Sequence, residues 1–186
     1  MADDFFPMPL PPTLTDGVVL LDAHTVKDAE AHYAGEDMEM VRRFDGVEKA
    51  PLEDIRGAMR RWIAMRAAGG PQFAYAMRDL ASGVLVGGCE MQRRRADTAH
   101  MSYWTYAGFR GRGYASRGLA LLCAEAAKID GIETIEADIA ADNFASRGVA
   151  LRNGFVQAGT VTDKTWMGAV VTLDRFVRPA RIPTEV

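Results

Sequence analysis

The sequence predicts an α/β protein whose mixed sheet is packed by helices. Three observations carry that reading. Strand-like and helix-like segments follow one another as β-α-α-β-β-β-α-β-α-β-β, with no internal repeat and no internal linker. The 186 residues, 48% hydrophobic and 25% charged, fill one domain and leave little for a second. A basic, glycine-rich turn stands between a strand and a helix, a placement that suits anion binding. The formal charge of −3, from 22 basic and 25 acidic residues, gives no general pull toward nucleic acid or an anionic membrane, so neither is an expected partner.

The N-terminal residues 1–16 carry Pro7, Pro9, Pro11 and Pro12, which fix φ and remove amide donors, so an extended proline-rich arm is expected there. Val18 to Leu21 is a short buried-type strand. Thr25, with Asp28 three residues on, resembles a capping box that opens a helix through about Tyr33. The next helix starts at Pro51, has Glu53 and Asp54 at its positive end, and stops at Gly69-Gly70; its apolar stripe is Leu52, Ile55, Met59, Trp62 and Ile63. Phe73 to Met77 alternates, a turn follows at 79–83, and Val84 to Met91 is apolar, which reads as a hairpin. Arg93, Arg94 and Arg95 read as a solvated charge cluster in a loop.

A strand is expected over Ala99 to Tyr106 and a helix from Tyr114 to about Ile129. Thr134 to Ala140 reads as a strand, followed from Asn143 by a shorter helix that ends at Asn153-Gly154. Phe155 to Val161 and Ala169 to Phe176 read as the last two strands. The N-terminus has no positive region and no long apolar core, so no export signal is expected. The longest apolar-rich stretch, Gly118 to Ala127, contains Glu125 and is too short for a bilayer. Cys89 and Cys123 lack metal-site spacing, so a reduced, cytoplasmic protein is expected.

The chemistry is concentrated in Arg110-Gly111-Arg112-Gly113-Tyr114-Ala115. Glycines allow several amides to face one concavity, and the helix start and two arginines add positive charge, which is how a diphosphate is held. An ordinary basic turn is the plainer reading. Neither a Walker Lys-Ser/Thr nor the G-x-G-x-x-G spacing is present, which argues against ATP and NAD. Arg110, Gly113 and Ala115 fill, in order, the Q/R-x-x-G-x-G/A pattern of the GNAT superfamily of acyl-CoA N-acyltransferases, which the chain resembles. The stretch from Asn143 through Ser146 and Ala150 to Gly154-Phe155 is similar to the family's closing helix. The Asn-x-x-Ser form, with His100-Met-Ser-Tyr103-Trp104 ahead of the turn, looks nearest to the RimJ/RimL-like branch that acetylates N-termini of ribosomal proteins.

The resemblance covers residues 17–176 and is sharpest over 99–155. It implies a mostly antiparallel, twisted sheet with splayed central strands, and acetyl-CoA as co-substrate with no metal. The pantetheine arm would enter the gap beside Trp104, Thr105 and Tyr106, and amides from Arg110 to Ala115 would receive the diphosphate. Asn143 would contact the arm. His100 matches a strand position where many relatives carry glutamate, and it is the leading general base, with a structural histidine as the alternative. Glu90 is the second candidate base. The helix position where many members carry a tyrosine is Ala150 here, so Ser146 is the candidate proton donor to the thiolate, against the plain reading of a helix cap. Backbone N–H near Thr105 or Tyr106 would hold the oxyanion.

Other groups carry less. Cys123 reads as core packing. His24 and His32 have no carboxylate grouping that suggests a metal site. Trp62, Met65 and Phe44 read as core or as the wall of an acceptor cleft, and Glu36, Asp37 and Glu39 as a solvated loop or a lure for a cationic acceptor. The expected function is acetyl transfer from acetyl-CoA to a primary amine in a direct ternary complex. A protein N-terminal α-amine is the leading acceptor on the resemblance to the RimJ/RimL-like branch; more of an amine with pKa near 8 than of a lysine near 10.4 is neutral at pH 7, so a modest base or a water chain suffices for it. A small-molecule amine, an idle acyl-CoA-binding module, and an interaction protein working through the arm are the alternatives, and a homodimer stays open. The expected organisation is the arm 1–16, the transferase domain 17–176 and a tail 177–186.

Overall fold

The computed structural model describes residue 8 and residues 10–44, 46–164 and 170–181. Pro7 and Pro9 of the arm, Ala169 of the last expected strand and residues 182–186 of the tail lie outside the described residues. The elements are β1 (Leu14–Thr15), β2 (Val19–Ala23), α1 (Asp28–Gly35), α2 (Met38–Arg43), α3 (Leu52–Ala67), β3 (Gln72–Asp79), β4 (Leu85–Arg95), β5 (Thr98–Thr105), α4 (Tyr114–Ala126), β6 (Thr134–Ile139), α5 (Phe144–Arg152), β7 (Val156–Lys164) and β8 (Val170–Pro179). A 3-10 turn, Ala107–Phe109, follows β5. The eight strands form one sheet in the order β1-β2-β3-β4-β5-β6-β8-β7, antiparallel except for the β5/β6 pair.

Hydrophobic pattern accounts for most of this. Val19 and Leu21 alternate inward on β2 and are fully buried. In α4, Leu119, Leu122, Cys123 and Ala126 recur at helical spacing and pack on β4, β5 and β2. On the other side α1 and α3 pack together through Ala29, Ile55 and Met59, and α3 lies against β3. The sheet is thus covered on both faces, and its centre is the largest cluster of buried side chains.

Four local readings are corrected. Thr25 and Asp28 do bond reciprocally to the chain start of α1, with the Thr25 amide donating to Asp28 Oδ2 at 2.8 Å, but the helix begins only at Asp28. The loop at 36–44 holds a helix, α2, capped by Asp37 Oδ1 accepting from the Met40 amide at 2.9 Å. The described part of the expected arm is built into the domain: Met8 and Leu14 are in the core and the Tyr75 hydroxyl donates to Pro11 O at 2.7 Å. Arg93, Arg94 and Arg95 are not a loop. They finish β4, where Arg94 meets Asp138 at 2.8 Å and Arg95 meets Glu136 at 2.8 Å, both carboxylates being buried on β6.

Candidate active site

The parallel pair β5/β6 is zipped only where Thr98, Ala99 and His100 face Thr134, Ile135 and Glu136. Beyond that apex β5 stays with β4 as far as Thr105 and β6 stays with β8 as far as Ile139, so the two strands part. Backbone polarity along β5 follows. The Tyr106 amide donates to Val86 O at 3.0 Å on the β4 side, so the alternating groups of Tyr103 and Thr105 point across the split. Thr105 O accordingly accepts from Arg110 Nε at 3.3 Å. The split opens into a cleft of about 760 Å³ whose walls are residues 101–105 on β5 and 137–140 from β6, with α2, α4 and α5 around them.

The turn after β5 lies at one end of this cleft. The first helical bond of α4 is from the Arg117 amide to Gly113 O, 3.1 Å, and the amides of residues 111–116 have no acceptor among the described residues. Gly111 and Gly113 hold φ of +74° and +84°, a region that side-chain-bearing residues rarely adopt, and the space where a Cβ would stand is open at both. A fan of free donors at a helix start, facing an open cleft, fits an anionic group such as a diphosphate.

The structure gathers most of the residues singled out from sequence. Trp104, Thr105, Arg110, Gly111, Gly113, Tyr114, Ala115, Asn143 and Ser146 all line the cleft. Arg110 is occupied, however: its guanidinium forks onto Asp37 at 2.7 and 2.8 Å and reaches Glu39 at 2.9 Å. Arg112 stands off over the Phe109 ring, 5.7 Å from its centroid, and is outside the lining. Tyr106 is also outside it; its ring is buried and its hydroxyl lies 2.9 Å from His32 Nδ1. The Tyr106 amide is taken by Val86 O and is not free to serve as the expected oxyanion donor.

His100 sits at the apex, buried, with Nε2 3.5 Å from Asp138 Oδ2, a contact too long for a firm hydrogen bond. Burial opposes ionisation of Asp138, but His100 and Arg175, the latter at 2.9 Å, outweigh it and hold the carboxyl well below the usual range. Asp138 reaches the cleft wall, whereas His100 does not. Glu90 faces Ser102 across the β4/β5 ladder and accepts from Gln72 Nε2; burial raises its carboxyl, against the pull of Gln72 and Arg94. It too stands behind the cleft wall.

Pleating divides the chemistry of β5 between two faces. His100, Ser102 and Trp104 share one face with Glu90. There Trp104 packs near Trp62, 6.0 Å between ring centroids, and His24, 6.3 Å. Met101 and Tyr103 look the other way, toward α4 and α5. Ser146 Oγ and Tyr103 Oη are 3.0 Å apart, and Tyr103 Oη donates to Ser146 O at 3.0 Å. Asn143 Oδ1 caps α5 by accepting from the Ser146 amide at 3.1 Å.

Tyr103, Asp138 and Arg152, all in the cleft wall, are absent from the candidates drawn from sequence. Tyr103 was within reach of a pleat argument; Asp138 and Arg152 carry no local signal. On the α1/α3 side His24 is buried and His32 half-buried, and both are held neutral. Burial pushes His24 down to about 4, assisted by His32, Arg78 and Arg66 against Asp28, and pushes His32 down to about 4 with help from Lys49. Among the described residues no cluster of three or more His, Cys, Asp or Glu could hold a metal ion, and no helix is long and apolar enough to cross a membrane.

An open sheet split at its parallel pair, with a glycine turn feeding a helix beside the split, is the architecture of an acetyltransferase. The chain belongs to the GNAT acetyltransferase family, whose domain model, "Acetyltransferase (GNAT) domain", matches residues 19–156. Solved structures with the same fold include the microcin C7 self-immunity acetyltransferase MccE in complex with acetyl-CoA and AMP, at TM-score 0.76 and 16% identity over 92% of this chain and 98% of that one. The ribosomal-protein-S5-alanine acetyltransferase of Vibrio fischeri superposes at TM-score 0.73 and 15% identity, covering 90% and 96%. RimL, the ribosomal L7/L12 α-N-protein acetyltransferase, in complex with coenzyme A, superposes at TM-score 0.70 and 18% identity, covering 87% and 94%. No curated protein matches the chain by sequence.

Proposed function

We propose that the protein transfers an acetyl group from acetyl-CoA to a primary amine by direct attack in a ternary complex, with a protein N-terminal α-amine as acceptor. The observation that carries this reading is the row of unpaired amides at residues 111–116 beside the split between β5 and β6. Acetyl-CoA would supply the acetyl group as an activated thioester. Amides of the turn hold its diphosphate, while Tyr103 and Thr105 offer backbone groups to its amide-bearing arm as a neighbouring strand would. The Thr105 N–H faces the negative charge that develops on the acetyl oxygen.

The two faces of β5 take the two proton transfers. On the His100 face the amine loses its proton as the N–C bond forms. His100 lies two residues from Ser102, about 7 Å along the strand, so the proton reaches it through Ser102 or water. On the Tyr103 face the C–S bond breaks, and Ser146 Oγ, which donates to Tyr103 Oη in the resting site, turns to pass its proton to the departing sulfur while taking one from cleft water, so that no alkoxide is left. The likeness to RimL, a ribosomal L7/L12 α-N-protein acetyltransferase, and to a ribosomal-protein-S5-alanine acetyltransferase supports the acceptor class, and the larger neutral fraction of an α-amine suits a base set back from the cleft. The MccE likeness favours a small-molecule amine as the second reading. Cys89 and Cys123, free and buried, suit the reducing cytoplasm in which we place the reaction.

A panel of N-terminal peptides, amino acids, polyamines and aminoglycosides with acetyl-CoA, read by CoA release and product mass, tests the proposal. Turnover of peptides with acetylation at the α-amine is the expected result. CoA binding without turnover of any amine would make the protein an acyl-CoA-binding module and refute the transferase mechanism.

A further inference from the structure

Three arginines reach the cleft wall: Arg43, Arg110 and Arg152. Two are already neutralised. Arg43 meets Asp142 at 2.6 Å, and Arg110 carries Asp37 and Glu39. Both contacts fasten α2, which supplies Glu39, Met40 and Arg43 to the cleft, to the rims on either side of it. Arg152 is exposed and has no carboxylate partner among the described residues.

The position of Arg152 gives that charge a use. The next residue, Asn153, donates from Nδ2 to Ser116 Oγ at 3.0 Å, so the last turn of α5 lies against the first turn of α4. Ser116 closes the row of unpaired amides and lines the cleft. Gly148, one turn back on α5, also lines the cleft, and a Cβ there would stand 3.3 Å from Arg152 Nη1. The missing side chain therefore lets the guanidinium lie back along α5, over the cleft wall. Arg112, the other arginine of the turn, is set over Phe109 away from the lining.

We propose that Arg152 is the side-chain cation that receives phosphate groups at the nucleotide end of the bound coenzyme, and that Arg110 instead fastens α2 over the acceptor side of the cleft. The inference rests on the acetyl-CoA reading above. A guanidinium suits this task because it offers a fork of donors and stays charged at every working pH. Fastening by Arg110 couples the coenzyme turn to α2, since Asp37 both caps that helix and holds the arginine.

The test is calorimetry with coenzyme A and with its dephospho form, on the wild type, Arg152→Gln and Arg110→Gln, with thermal melts in parallel. Arg152→Gln is expected to bind coenzyme A about tenfold more weakly, to show a smaller melting shift with it, and to raise the KM for acetyl-CoA. If the loss persists with the dephospho form, Arg152 serves the diphosphate; if it vanishes, Arg152 serves the 3′-phosphate. Arg110→Gln is expected to raise the KM for the acceptor by more than that for acetyl-CoA. Wild-type binding with an unaltered Arg152→Gln, or a tenfold loss in Arg110→Gln in its place, overturns this proposal alone. A wild type that gives no heat overturns the functional reading with it.

Discussion

Replacing His24 by Phe should remove a pH dependence of stability that one buried imidazole creates. His24 is 3% exposed, lies 4.8 Å from the Trp62 ring centroid, and neither of its nitrogens has a hydrogen-bond partner. Burial lowers its pKa from 6.5 to about 4. Above pH 6.5 the imidazole is neutral in both folded and unfolded chains, and its titration costs nothing. Between 6.5 and 4 the unfolded chain takes up a proton that the folded one refuses, so stability is lost as pH falls through that window. At pH 5 the loss is about 2 kcal/mol, approaching roughly 3 below pH 4. Phe keeps the ring in the stack and removes two unpaired polar atoms. Urea unfolding at pH 7.5, 6.5, 5.5 and 5.0 reads the difference between variant and wild type; His32 and the carboxylates are common to both chains and drop out of it. The stability advantage of the variant should grow by about 2 kcal/mol from pH 7.5 to 5. Parallel curves would refute the assignment of a neutral, desolvated His24.

Three further outcomes are expected. His100→Gln should lower kcat by about 10²- to 10⁴-fold with little change in the KM for acetyl-CoA, and an unchanged kcat would return His100 to a structural role. Ser146→Ala should lower kcat with a smaller effect on the KM for acetyl-CoA, and the loss should shrink with a thioester whose thiol is more acidic; a loss that ignores the leaving group contradicts proton donation. Arg95→Gln removes a partner 2.8 Å from the buried Glu136, and with Arg175 still 3.5 Å away it should cost about 1 to 3 kcal/mol in urea unfolding, whereas no measurable cost would show that the ion pair is replaceable by water.

The parts of the molecule legible in sequence are those specified by neighbours along the chain. The apolar stripe of α4, the β3/β4 hairpin and the glycine turn at 111–113 each carry their pattern within a dozen residues, and each stands where the pattern puts it. Helix α2 escaped because six residues with only Met40 and Val41 buried show no period, and its determinant is one capping aspartate. Arg94 and Arg95 read locally as solvated charge because their carboxylates lie 44 and 41 residues downstream. The same limit governs the cleft. The turn could be read as an anion holder, but the capture of Arg110 by Asp37, 73 residues away, is a tertiary fact, as is the Tyr103–Ser146 contact across 43 residues. Pleat alternation sets Tyr103 on the face opposite His100, yet nothing in the strand says that a serine waits on that side.

Six amides, those of residues 111–116, are the proposed grip on the coenzyme. Titration of ¹⁵N-labelled protein with coenzyme A reads them one by one: the largest amide shifts should fall at residues 111–116, with a second group at Tyr103 and Thr105 along the split. Shifts concentrated elsewhere, or none at saturating coenzyme, would contradict the placement of the coenzyme in this cleft.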